Sequence, residues 1–451
     1  MEKLKLLEKV MVVPERPTNR KRIFLSNIDL SLVVYQESVS FFDPPKNKKS
    51  FSESCNSLYN ALRQLLVPYD FFAGRLVTAL ENDNRFQIEC NGAGVVVAAA
   101  KTDSALIQLG ELLEPKPEYR QLVAFLHEEG EEEMKIQDKP LLYLQLTEFA
   151  CGCLALASRY NHCVVDGIAV GEFQKNLAAL TRGDQIVMLP NPDRALFKAR
   201  NPPEITHPHY EYSTVVAEAM KMETADLFTV CGTTGVKSIN NCSTYSTKTR
   251  TTTRSIHISA KQISILKKAV LQDGNLENCT TFQVVAAKIW KARTIAVKMK
   301  EETNTTMLFP VNVRRIISPP APSGFAGNAL IPGFARVKVK EVKEREVSYL
   351  VKKVQEGVKR LDDEYVRSSI DWLEVYKGVP CRENSFSLVA WFRLGLEGEV
   401  FSWGKIKCTA PVVVKPGLVF LLPGTLEEGG IHVCLELPDE EMNEFCRLLM
   451  E

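Results

Sequence analysis

The chain has 451 residues, 45% hydrophobic and 25% charged, an ordinary globular composition with ample material for a core. Its 56 Lys and Arg nearly balance 55 Asp and Glu, giving a formal net charge of +1. That balance, and the lack of an aromatic-basic motif, argue against a nucleic acid or other polyanion as partner.

The length suits two domains of roughly 200 residues each. The opening MEKLKLLEKVMVVPERP interleaves charges with apolar residues, so no signal peptide is expected. No run approaches about 18 consecutive apolar residues, so no membrane span is expected either. The twelve cysteines show no repeated spacing and are expected to be reduced and mostly buried, Cys151 and Cys153 included. A cytoplasmic chain is the expectation, and in that compartment the sequons at Asn241, Asn278 and Asn304 carry no glycans.

Residues 5–13 and 33–42 predict strands. From Ser52 to Leu66 the positions Leu58, Leu62, Leu65 and Leu66 recur at helical spacing, with Ser52 as the expected N-cap. VPYDFFAGRL (67–76) reads as a turn followed by a short extended piece. Residues 142–149 and 152–160 predict an antiparallel hairpin. NHCVVDG follows, and then an amphipathic helix from about Ile168 to Leu180. Prolines at 190, 192, 202, 203 and 208 and a Ser/Thr-rich tract make 185–255 a partly mobile crossover. Beyond it come helices near 260–271 and 281–298, a strand at 306–313, and helices at 343–361 and about 363–376. Strands near 385–392, 417–422 and 430–436 and a helix from Asp439 complete the chain. The expected fold is α/β (α+β). Two domains, 1–185 and 256–451, are joined by 186–255, and each holds a mixed, largely antiparallel sheet flanked by helices.

Six histidines are present. His127 sits in an acidic stretch. His207 and His209 form an H-x-H without nearby partners for a metal. His257 and His432 lie in strand-like runs and read as packed residues. His162 follows an apolar strand and opens the pentad His162-Cys163-Val164-Val165-Asp166, closed by Gly167. Such a position lets an imidazole project rigidly into a cleft. On the pattern alone two readings stand. In one, His162 is a base and Asp166 turns away to pair with a buried Arg. In the other, His162 packs between domains and Asp166 caps the next helix.

SRYNHCVVDG resembles the signature of the BAHD acyltransferases, whose wider superfamily includes chloramphenicol acetyltransferase. FLSNID (24–29), VPYDFFAGRL (67–76), ARNPPEI (199–205), CTTFQVVAAKIWKART (279–294), LFPVNVR (308–314), GFAGN (324–328) and YVRSSIDWLEV (365–375) resemble further family segments in the same order. Several resemble most the hydroxycinnamoyl transferases of ω-hydroxy fatty acids and fatty alcohols. The resemblance implies two chloramphenicol-acetyltransferase-like domains with an active-site channel between them. It also implies acyl-CoA as co-substrate, no permanently bound cofactor, no metal, and a monomer. His162 is then the base, with Asp166 paired to Arg314 and Asn312 standing in the place of a family Asp. A non-catalytic relative that assists fatty-acid elongation or wax synthesis is the alternative.

Two departures bear on that choice. The family's D-F-G-W-G is here Val400-Phe401-Ser402-Trp403-Gly404, so Phe401, Trp403 and Gly404 remain as the CoA-side motif while the Asp and first Gly are lost. Val389 replaces a Thr that in hydroxycinnamoyl transferases bonds the oxyanion. Trp391, Arg393 and Ser38 are the remaining oxyanion or acceptor candidates. Tyr35 and Ser40 stand where shikimate-type members carry His and Tyr, which argues for an apolar acceptor. Asn161 stands where condensation domains carry a second His.

Overall fold

The computed structural model describes residues 4–45, 49–80, 85–127, 134–214, 250–272, 274–381, 384–425 and 429–451. The part of the predicted crossover at 215–249 lies outside the described residues.

Local sequence sets most element ends. The helix Phe51–Leu65 starts at Ser50, two residues before the expected cap. Ser50 Oγ accepts from Glu53 N–H while the Glu53 carboxylate accepts from Ser50 N–H, so the S-x-x-E box starts the helix two residues earlier than the Leu spacing suggested. The helix Gly167–Arg182 is capped by Asp166 and stopped by Gly183 at φ 87°, a left-handed position that suits glycine. The single helix expected at 343–361 is two, Val339–Glu344 and Val347–Lys359, because Arg345 turns extended between them. TTTRS, placed by sequence at the end of the crossover, opens a strand, Thr251–Ile258, whose β-branched residues pair with Ile431–Pro438.

Two main sheets result. In spatial order the first holds Lys5–Val12, Val95–Thr102, Leu142–Phe149, Leu154–Asn161, Tyr35–Phe42, Gly404–Pro411 and Val400–Phe401. Only the Val95–Thr102 and Leu142–Phe149 pair is parallel there. The second holds Thr251–Ile258, Ile431–Pro438, Leu418–Pro423, Ser385–Ala390, Asn304–Asn312 and Leu330–Lys338. Ser385–Ala390 runs parallel to both of its neighbours. Helices Phe51–Leu65 and Gly167–Arg182 pack together on the first sheet. Thr281–Ala296, Val347–Lys359 and Asp439–Met450 cover the second.

The halves are interlocked. Gly404–Pro411 comes from the second half of the sequence yet pairs antiparallel with Tyr35–Phe42 in the first sheet. Its leading aromatics, Phe401 and Trp403, stack at 4.9 Å and meet Phe42 edge-on at 5.5 and 6.0 Å. A third apolar core lies between the sheets, drawing Val39, Phe41 and Ala157 from the first and Phe420, Leu422 and Cys434 from the second. Among the described residues no helix is long and apolar enough to cross a membrane.

Trp403 is 1% exposed and anchors this exchange. Trp403→Ala is expected to cost about 3–5 kcal/mol, the usual range for a buried Trp. Urea unfolding of the variant measures it, and a loss under about 1 kcal/mol would show that the exchanged strand is held by other contacts.

Candidate active site

The strand Leu154–Asn161 delivers His162 to its position. His162 N–H donates to Val34 O at 2.7 Å, which extends the pairing one residue past the strand. Cys163 N–H then donates to Asn161 Oδ1 at 3.2 Å and Val164 N–H to Asn161 O at 3.1 Å, which turns the chain into the helix. The side chain of His162 is half-buried. Its Nδ1 lies 3.1 Å from Asn328 Oδ1. Asn328 Nδ2 donates to His162 O at 2.8 Å and to Asp29 Oδ1 at 2.9 Å. With its amine end committed to two acceptors, Asn328 presents its oxygen to the ring. Nδ1 therefore carries the proton and Nε2 keeps its lone pair. Burial pushes the imidazole pKa below its ordinary value, outweighing its own backbone, Asp166, Asn328 and Asp29, which favour the charged form. The ring is neutral at pH 7.

Asp166 satisfies both sequence readings at once. Its carboxylate caps the helix through Ala169 N–H at 3.1 Å. It also takes two parallel bonds from Arg314, at 2.7 and 2.9 Å, and one from Ala329 N–H at 3.1 Å. Arg314 goes on to the carbonyls of Phe325 and Gly327. Asn312 Oδ1, where the family Asp was expected, accepts from Arg314 N–H at 3.1 Å.

The other candidates are spread more widely. Ser38 Oγ lies 3.0 Å from Ser158 Oγ, and Ser40 Oγ lies 2.9 Å from Thr409 Oγ1. Tyr35 donates to Pro140 O at 2.8 Å. Trp391 is buried in the core between the sheets, its ring 5.0 Å from Phe420. Arg393 is exposed, its guanidinium 5.8 Å from the Phe282 ring and 5.5 Å from Phe392. Among the described residues none of Ser38, Trp391 and Arg393 hydrogen-bonds to His162. Phe401 and Trp403 are core residues of the first sheet, and Gly404 opens the exchanged strand. In the altered motif Ser402 N–H donates to Thr181 Oγ1 at 3.1 Å, Ser402 Oγ accepts from Lys49 at 2.9 Å, and Arg182 holds the Val400 carbonyl. These contacts tie the loop to the helix Gly167–Arg182 and to Lys49. The loop after Trp391 also lies on that helix. A Cβ at Gly167 would come 2.8 Å from Leu394, and one at Gly171 would come 2.9 Å from Leu394 O, so the two glycines permit the approach.

A partly open cleft, with about 40 Å³ of enclosed space, reaches Tyr160, two residues before His162. Leu142, Leu144, Leu156, Phe173, Leu177 and Phe401 are among its apolar lining, with Ser40, Ser158, Tyr160 and Gln174 as its polar groups. Leu156, Ser158 and Tyr160 alternate along one strand face, so the cavity follows the strand that ends at His162. The Tyr160 and His162 rings are 6.1 Å apart. Among the described residues no cluster of side chains suits a metal. His209 is buried, bonded at 2.7 Å to Glu211 and 2.8 Å to Ser368, and so fastens the crossover to the helix Asp363–Tyr376.

Sequence reasoning assigned no role to Asn328, Asp29 or Arg194. The first two fall in segments it quoted, GFAGN and FLSNID, and only the structure shows them touching.

Residues 2–448 match the family model described as Transferase family. The chain belongs to that family, the BAHD acyltransferases. It is 34% identical to "Acyltransferase GLAUCE" of Arabidopsis thaliana, over 98% of this chain and 94% of that protein. It is 29% identical to the "Omega-hydroxypalmitate O-feruloyl transferase" of the same plant, over 97% and 91%. The crystal structure of F. graminearum TRI101 with coenzyme A and deoxynivalenol superposes with a TM-score of 0.69 at 16% identity, over 94% of this chain and 96% of that one. That likeness shows the shared BAHD fold.

Removing Asp166 leaves Arg314 facing buried carbonyls without its counter-charge. Asp166→Ala is expected to lose about 3–5 kcal/mol, the usual cost of breaking a largely buried pair. Thermal melts beside the wild type measure the loss. An unchanged melt would show that Asp166 is not needed for the fold.

Proposed function

We propose that this acyltransferase moves a hydroxycinnamoyl or other acyl group from CoA to the hydroxyl of an apolar acceptor, a fatty or aromatic alcohol or an ω-hydroxy acid. The observation that carries the chemistry is Asn328 Oδ1 set 3.1 Å from His162 Nδ1, which leaves the Nε2 lone pair for the substrate. His162 takes the hydroxyl proton as the oxygen attacks the thioester carbonyl. The tetrahedral oxyanion collapses, the carbon–sulfur bond breaks, and the CoA thiolate takes the proton back from the imidazolium. No acyl-enzyme is required, since both substrates meet in one channel between the halves, 1–185 and 256–451. Asp166 and Arg314 hold the loop that carries the base.

The acceptor class rests on the cavity. Its walls are mostly apolar, and its two serines are already paired, Ser158 with Ser38 and Ser40 with Thr409, so it offers little to a polar acid. The relative named for ω-hydroxypalmitate points the same way. Arg393, exposed beside Phe282, supplies a positive charge for the far carboxylate of an ω-hydroxy acid. Phe401, Trp403 and Gly404 act by holding the exchanged strand on the CoA side. Trp391 and backbone amides serve the oxyanion in place of the Thr that Val389 replaces. The protein works as a cytoplasmic monomer. The non-catalytic alternative has Val389 and the altered motif in its favour, while the hydrogen bond that the His162 ring donates to Asn328 Oδ1 supports the catalytic reading.

Thiol release with one acyl-CoA and three acceptors, a fatty alcohol, its ω-hydroxy acid and shikimate, tests the substrate class. Affinity is expected to rise by about 0.8 kcal/mol per added CH₂ until the cavity is filled. Shikimate as the best acceptor would refute the apolar channel, and no release with any would favour the non-catalytic reading. The pH dependence of kcat has a defined sign. Because only neutral His162 is a base and burial lowers its pKa, activity is kept from pH 8 down to about 6.5, the ordinary histidine value, and is lost below it. An acid limb centred above pH 7 would contradict the assignment.

A further inference from the structure

Asp29 has no part in the transfer chemistry, yet it is fully buried and every lone-pair direction is occupied. Oδ2 accepts from Ser26 N–H at 2.8 Å and Ser26 Oγ–H at 2.7 Å. Oδ1 accepts from Asn328 N–H at 3.0 Å and Asn328 Nδ2 at 2.9 Å. Its charge is met by Arg194 Nε at 3.2 Å, in an ion pair that is buried on both sides. Arg194 Nη2 donates to Val164 O at 2.7 Å, in the turn after His162, and to Ala326 O at 3.1 Å, in the loop before Asn328, while Nη1 donates to Pro192 O at 2.6 Å.

This arrangement bears on a property that His162 cannot set for itself. A general base needs its lone pair on Nε2, so the proton must stay on Nδ1. The group facing Nδ1 is the Asn328 carboxamide, which has an accepting end and a donating end. With the oxygen toward the ring, Nδ1–H is favoured. With the amine toward the ring, the proton is driven to Nε2 and the base is lost. What stands behind the amide decides between these, and Asp29 is a carboxylate that can only accept. Flipping the amide would set its oxygen against that charge. The carbonyl of His162 acts in the same direction, but as a neutral acceptor.

We infer that Asp29, held by Arg194, is a positioning residue that orients the Asn328 amide and thereby selects the Nδ1–H tautomer of His162. This rests on His162 being the base proposed above. The relay joins three distant segments, 26–29, 194 and 326–328, at one imidazole. Asp29→Asn keeps the size of the side chain but lets the residue donate as well as accept, so the amide loses its strongest reason to face one way. In a protease triad, an Asn in place of the orienting Asp lowers kcat by about 10⁴ through the wrong tautomer. The loss here is expected to be smaller, about 10- to 100-fold, because the His162 carbonyl still holds the amide.

The test uses the full chain labelled with ¹⁵N-histidine. Long-range proton–nitrogen spectra report which ring nitrogen of His162 bears the proton, its signals being identified by their absence in His162→Ala. The wild type is expected to show the Nδ1–H tautomer. Asp29→Asn is expected to populate Nε2–H, with kcat down at least about tenfold and KM changed by less than about threefold. Ser26→Ala disturbs the same buried carboxylate without touching Asn328 and is expected to keep the wild-type tautomer. Should Asp29→Asn not fold, Asn328→Ala removes the amide itself, and the Nδ1–H preference should be lost. An unchanged tautomer in Asp29→Asn or Asn328→Ala overturns the inference, as does an equal shift in Ser26→Ala. A shifted tautomer with unchanged kcat supports the relay and refutes His162 as the base, so the two claims fail separately.

Discussion

Burying a carboxylate costs several kcal/mol unless it is paired and hydrogen-bonded, and this protein buries two beside one histidine. Asp29 and Asp166 are both fully buried, and each meets an arginine, Arg194 and Arg314. The segment 325–329 is threaded between them. Asn328 N–H goes to Asp29 and Ala329 N–H to Asp166, while the carbonyls of Phe325, Ala326 and Gly327 go to the two arginines. Neither carboxylate can lose its partner without exposing the other groups to the same cost. The two ion pairs and the backbone of 325–329 thus form one connected polar set.

That set links the fold to the chemistry. Asp29 and Asp166 come from the first half of the chain, Arg194 from the crossover, and Arg314 and Asn328 from the second half. The exchanged strand Gly404–Pro411 and the core between the sheets hold the same halves together on apolar contacts. The polar set then fixes position and protonation, which burial of apolar area alone cannot do. An imidazole held where the halves meet, next to a mostly apolar cleft, is the arrangement that the proposed transfer requires, since two substrates must be aligned before a proton moves.

Much of this was legible in the sequence. The hairpin leading to His162 and the helix after it follow from periodicity, while the ordered family segments and the pairing of Asp166 with Arg314 were expected from the resemblance. What escaped has physical reasons. Val95–Thr102 is rich in alanine and Leu330–Lys338 contains Pro and Gly, so neither carries a clear strand signal. Gly404–Pro411 finds its partner more than 350 residues away, at Tyr35–Phe42, and no local pattern encodes such a pairing. Asp29 and Asn328 stood in quoted segments, but hydrogen bonds across 299 positions are a property of the folded chain. Ser38, Trp391 and Arg393, grouped by resemblance, are packed in separate surroundings.

The central claim is that His162 is the base of an acyl transfer from CoA. The most direct measurement is the steady-state release of CoA thiol by His162→Ala at saturating acyl-CoA and alcohol, beside its thermal melt. The account predicts a melt close to the wild type and turnover reduced by about 10²–10⁴, the usual contribution of a positioned base. Turnover within tenfold of the wild type, from a folded variant, would contradict it.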